Sequence, residues 1–177
     1  MSTLRADAQR NLERVLDAAT EVFAVSGPDA SVDEIARRAG VGHATVFRRF
    51  PTKADLMYAV VERHVDELRS LAEKALALPD PGEAFFGFVR GAAELGMTLP
   101  GLQKCVVECG EKPGAAELEQ LMDRIVSRAQ RAGAVRRDLK PRDVGSLIRA
   151  ALFAAPPEQW RSYLDVVLEG LKPAASR

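Results

Sequence analysis

Glycine and proline cut this chain into short blocks, and that punctuation limits its fold more than any other feature. Within each block apolar residues recur at helical spacing, and each block closes on a Gly or Pro, residues that a helix interior disfavours. Leu12, Val15, Leu16, Ala19, Val22 and Phe23 mark a first amphipathic helix, broken by Ser26, Gly27 and Pro28. Ser31 with Glu34 reads as a capping box that opens a second helix over Val32–Ala39. Gly40 then stands where a left-handed backbone ends it. From His43 to Phe50 there is room for about two turns before Pro51. Thr52 with Asp55 repeats the capping signal and starts a long helix to Leu78, stopped by Pro79 and Pro81. Four more periodic blocks follow at residues 83–97, 102–111, 115–132 and 142–153. A last helix enters at Pro156 and Pro157 and carries Trp160, Leu164, Val167, Leu168 and Leu171. The expected fold is all-α, with about nine helices and no strand.

Composition agrees: 28 Ala and 19 Leu outweigh 17 Val, 3 Ile and 5 Thr, which favours helix over strand. Lys and Arg total 25 and so do Asp and Glu, so no global charge excess points to a nucleic-acid or membrane partner. Any such partner must be read from local charge. The apolar runs are far shorter than the ~20 residues a membrane span needs, so no membrane partner is expected. Residues 1–14 mix Arg5, Asp7, Arg10, Glu13 and Arg14 without an apolar core, unlike a secretory signal, and a cytoplasmic location is expected. Cys105 and Cys109 fit neither a disulfide framework nor a zinc site, and they read as small core residues. No cofactor and no metal are expected.

The two short helices on either side of Gly40 have the layout of a helix-turn-helix, whose second helix lies in the DNA major groove. Arg37, Arg38, Arg48, Arg49 and Lys53 fall in a stretch with no acidic residue, a basic patch suited to phosphates. At about 100° per residue, Val46 and Phe50 share one side of the second helix, and Ala44, Thr45 and Arg48 lie roughly opposite. Ala44 is small enough to enter the groove and touch a thymine methyl, and Arg48 suits guanine O6 and N7. His43 and Phe47 stand at the margin. Arg49 and Lys53 suit phosphate, and the hydroxyls of Ser31 and Thr45 are further phosphate candidates, with plain capping as the other reading of Ser31. An enzyme is disfavoured, because the chain has only His43 and His64 and lacks a metalloprotease motif, a phosphate loop and a nucleophile elbow. A helical protein-interaction module without a DNA target is the other alternative.

The run from Ser31 to Lys53 resembles the DNA-binding domain of the TetR (tetracycline repressor-like) transcriptional regulators. The resemblance includes Ala18, Ala19 and Phe23 in the first helix, Ile35 and Ala36 leading to Ala39-Gly40-Val41, Thr45 with Phe47, and the Phe50-Pro51-Thr52-Lys53 exit. It departs at Phe47, where Tyr is usual, and at Gly42, where a polar residue is. It implies three N-terminal helices binding an operator, a helical remainder binding a small effector, and a homodimer. It also implies phosphate contacts from Ser31, Thr45, Phe47, Arg49 and Lys53. The domains would then be 1–51 for DNA and 52–177 for effector and dimer. The expected function is a ligand-responsive repressor on a palindromic double-stranded operator. Phe85, Phe86, Phe88, Met97, Cys105, Cys109 and Met122 offer soft surface for an apolar effector, and core packing accounts for the same residues. Leu147 and Ala151 on one helix, with Trp160, Leu164, Val167 and Leu171 on the last, resemble the family's dimerising pair, and the stripe formed by the last four is too apolar to leave wet on a monomer.

Overall fold

The computed structural model describes residues 2–97, 100–109, 114–156 and 158–173, so the expected helix end at Glu111 and helix entry at Pro157 lie outside it. Among the described residues there are nine α-helices and no strand: α1 Ser2–Ser26, α2 Val32–Ala39, α3 His43–Arg49, α4 Lys53–Ala77, α5 Pro81–Met97, α6 Pro100–Glu108, α7 Ala115–Arg131, α8 Pro141–Ala154 and α9 Trp160–Gly170. A 3-10 turn, Gly27–Asp29, follows α1. No helix among the described residues is long and apolar enough to cross a membrane.

The helices pack as two compact units. The first holds the chain up to His64 together with α6, and the second holds the rest of α4 with α5, α7, α8 and α9.

In the first unit, Ala19, Phe23 and Ile35 are fully buried, and Val46 and Phe50 join the buried set from α3 and its cap. Arg63 of α4 ties that helix to α1 by donating to Asp17 Oδ1 at 2.7 Å and to Thr20 Oγ1 at 2.6 Å. The close approach of α6 depends on Gly101, where an added Cβ would stand 2.2 Å from the Phe23 carbonyl oxygen. Gly40 caps α2 with φ of 64°, a left-handed turn that a side chain would strain. The Thr52 capping box forms reciprocally: Asp55 N–H donates to Thr52 Oγ1 at 3.1 Å and Thr52 N–H donates to Asp55 Oδ2 at 2.9 Å.

The Ser31 box does not form. Ser31 occupies the N-cap position, but its hydroxyl makes no capping bond. Glu34 turns instead to Arg37, where a charge-assisted pair outcompetes a neutral backbone donor.

In the second unit, Phe85, Phe88, Ile125, Val126, Val144, Trp160, Leu164, Leu168 and Leu171 form one core. Arg128 closes the end of α4 by donating to the carbonyls of Leu76, Leu78 and Pro79 at 3.0, 2.6 and 2.8 Å, groups a helix end leaves without partners. The loop before α8 is held by Arg136, whose N–H donates to the Leu171 carbonyl at 2.8 Å. Several helix limits differ from the sequence reading, most of all the starts of α1 and α9. α1 begins ten residues ahead of the first periodic position, Leu12, and α9 begins at Trp160 because Ala155 is extended and Gln159 N–H closes a turn on the Pro156 carbonyl.

Two outcomes follow from this packing. Gly101→Ala forces α6 off α1 or distorts backbone, and a loss of about 1–3 kcal/mol in urea unfolding is expected; unchanged stability would contradict the close approach. His64 on α4 buries Nδ1 without a partner among the described residues, and desolvation lowers its pKa below the ordinary imidazole value. The unfolded chain therefore takes up that proton first. Its contribution is full above about pH 6.5 and is lost as pH falls through the window beneath. His64→Leu is expected to flatten the fall in melting temperature as pH drops below about 6.5, and an unaltered slope would show that His64 does not titrate this way.

Candidate nucleic-acid interface

A helix of seven residues presents few side chains, so its anchoring decides which of them face outward. Val46 and Phe50 are buried at 1% and 9% exposure, which commits one side of α3 to the core. His43, Ala44, Arg48 and Arg49 are exposed, and Thr45 and Phe47 are half-buried. Lys53, half-buried, opens α4 just beyond, and Ser31 is exposed at the head of α2. The structure thus keeps α3's candidates off the side that Val46 and Phe50 bury, with Ser31 and Lys53 at the ends of the neighbouring helices. Gly42, the N-cap of α3, has no side chain to cap it, and Thr45 N–H closes on the Gly42 carbonyl at 2.8 Å.

Charge on this surface is more selective than the sequence stretch suggests. Arg37 is taken by Glu34 at 2.5 Å, and Arg38 is shared between Glu21 at 3.1 Å and Glu34 at 3.5 Å. The Arg37 bond holds the Glu34 carboxyl below the ordinary carboxylate range. These two arginines are half-neutralised structural cations of α2. Arg48, Arg49 and Lys53 make no ion pair among the described residues, which leaves them available to a polyanion. A cleft of about 450 Å³ opens beside the two arginines, lined by Gln9, Asn11 and Leu12 of α1 and by Thr45, Arg48 and Arg49 of α3. Two residues outside the sequence-based set also shape the surface. Asp33 of α2 binds His43 Nδ1, and Arg14 of α1 reaches over the Gly40 turn, with Nη2 2.5 Å from where a Cβ would be. Neither pairing follows a helical period, since each joins two helices.

The geometry is that of a helix-turn-helix. Residues 15–60 match the tetR family of bacterial regulatory proteins, and residues 80–173 match the C-terminal domain of SbtR-like transcriptional regulators. A TetR transcription regulatory protein from Mycobacterium vanbaalenii is 38% identical, superposes with a TM-score of 0.71, and covers 96% of this chain and 99% of that one. The chain belongs to the TetR family of transcriptional regulators. A TetR transcriptional regulator from Streptomyces coelicolor is 30% identical with a TM-score of 0.70, over 92% of this chain and 99% of that one. The transcriptional activator FasR of Mycolicibacterium smegmatis is 40% identical over 85 residues, 43% of this chain and 39% of FasR. The chain thus spans about two fifths of the length of that curated relative, and 42% and 35% of the next two.

The remaining candidate sets separate. Phe85 and Phe88 are buried in the second unit's core, with Phe86, Met97 and Met122 packed half-buried against it. Cys105 is buried in the first unit, and Cys109, half-buried, lies there too. Burial pushes the Cys105 thiol up to about 11, with Cys109 and Glu108 adding to the rise.

Of the expected dimer stripe, Trp160, Leu164 and Leu171 are buried inside their own chain at 8%, 2% and 2% exposure. The premise that this stripe would stand wet on a monomer is therefore corrected: the face that reads as a free stripe is the one α9 turns into its own core. Ala151 and Val167 are half-buried, and Leu147 is exposed.

Proposed function

We propose that this TetR-family chain is a DNA-binding regulator that represses by occupying a palindromic operator as a homodimer. Residues 1–51 would hold the DNA, and residues 52–177 would take the effector and the second copy. The observation that supports it most is the outward face of α3, where Arg48 and Arg49 are exposed and make no ion pair among the described residues while Val46 and Phe50 are buried, with Lys53 beyond. Unpaired cations on a small helix release counterions from DNA, and a second copy related by a two-fold axis reads the other half-site. Ser31, whose hydroxyl makes no cap, Thr45, Arg49 and Lys53 contact phosphate in this reading. Ala44, Arg48 and His43 meet base edges, while Phe47 contributes packing alone. The effector is a small, largely apolar molecule held near Phe85, Phe86, Phe88, Met97 and Met122, and the protein works in the cytoplasm.

The second copy would meet α8 and α9 on the sides that do not face the core. Leu147, Phe153, Tyr163 and Val166 are four of the eight exposed large apolar side chains among the described residues, and all four lie on these two helices. Such a concentration is what an interface between copies covers.

Two measurements test the reading. After an operator is selected from random duplexes, titrations at several salt concentrations should separate two cations. Lys53→Ala should weaken operator and scrambled DNA alike and lower the salt slope by about one phosphate. Arg48→Ala should cost roughly 10- to 100-fold on the operator and relax one base pair per half-site. Equal losses on both DNAs for Arg48→Ala would make it a phosphate contact, and no DNA binding at all would overturn the function. Light scattering should give twice the 19.2 kDa chain mass, and Phe153→Glu with Val166→Glu should return it to one chain. A monomeric parent protein would remove the dimer.

A further inference from the structure

Asp33 places a carboxylate on the DNA-facing surface, where phosphates would repel it. Glu34 and Glu21, its acidic neighbours, are tied to arginines, whereas Asp33 Oδ1 meets the Nδ1 of His43, the first residue of α3. The other side of the imidazole is fixed as well, because it stacks on Phe47 with centroids 4.6 Å apart and an interplanar angle of 14°. The side chain of His43 nevertheless remains 53% exposed. A ring gripped through one nitrogen and one face, on the outward side of a recognition helix, is ordered before DNA arrives.

The chemistry of the grip is asymmetric. A carboxylate only accepts hydrogen bonds, so the Nδ1 that meets Asp33 must carry the proton. In the neutral ring Nε2 is then a bare acceptor. Along the major groove adenine N6 and cytosine N4 offer donors, whereas guanine N7 and O6 and thymine O4 offer acceptors. We propose that Asp33 is a positioning residue that holds His43 as its Nδ1–H tautomer, so that Nε2 accepts from the amino group of an adenine or cytosine. Without the carboxylate the ring reverts to the Nε2–H tautomer that an unconstrained imidazole prefers in water, and guanine and thymine become acceptable. This inference rests on α3 being the recognition helix of a DNA-binding regulator.

Asp33→Asn is the decisive variant, since an amide keeps a hydrogen bond to the ring but can either accept or donate, and so no longer dictates the tautomer. Duplexes would be selected from a random library at about pH 8.5 by the full chain, Asp33→Asn, Asp33→Ala and His43→Ala. The parent chain should enrich adenine or cytosine at one position of each half-site, by roughly three- to tenfold over guanine, the worth of one hydrogen bond. Both Asp33 variants should lose that discrimination there and keep it at all other positions, and His43→Ala should show no preference at that position. Nitrogen-15 spectra of the imidazole should show Nδ1–H in the parent and mainly Nε2–H in Asp33→Asn. A parent-like motif from Asp33→Asn, or an Nε2–H ring in the parent, overturns the inference while leaving the regulator reading intact. A parent chain that enriches no sequence overturns that reading itself.

Discussion

The whole interface depends on how α3 is held. Seven residues are too few to sustain a helix alone, because nucleation costs more than so few backbone bonds return. What holds it is burial: Val46 and Phe50 are buried in the first unit, and the left-handed turn at Gly40 sets the angle at which the chain leaves α2. With one side committed inward, the identity of the exposed residues is a geometric consequence. His43, Ala44, Arg48 and Arg49 reach solvent because Val46 and Phe50 do not.

Electrostatics then sorts residues that look equivalent in one dimension. Arg37 and Arg38 stand in the same acid-free stretch as Arg48 and Arg49, yet Glu34 and Glu21 fold back onto them from outside it. Two cations brace α2 and its contact with α1, and two on α3, with Lys53, are left for a partner. A stretch of sequence is acid-free only along the chain, and its net field depends on which carboxylates the neighbouring helices bring to it.

The architecture was legible because Gly, Pro and helical periodicity act locally. α2 falls on residues Val32–Ala39 as read, Gly40 is left-handed as read, and the Thr52 box forms as read. What the sequence hid was long-range. Ser31 and Glu34 have the capping spacing, but Arg37 one turn further on draws the carboxylate away. The apolar stripe through Trp160, Leu164 and Leu171 has the same periodicity whether it meets its own core or a second chain, so only the packing shows that it is internal. The same limit applies to α6, whose apolar spacing gives no hint that Gly101 closes on the Phe23 carbonyl, and to Asp33, ten residues from His43.

The outward face of α3, locked by Val46 and Phe50, is the surface proposed to receive DNA. Hydrogen exchange of the full chain, with and without a selected operator duplex, tests it most directly. Such a short exposed helix should exchange readily when free. Bound DNA should slow exchange across α3 and the first turn of α4, and leave the core amides of α5 and α7 little changed. Protection confined to α7, α8 or α9, with α3 exchanging as in the free chain, would place the DNA-binding surface elsewhere.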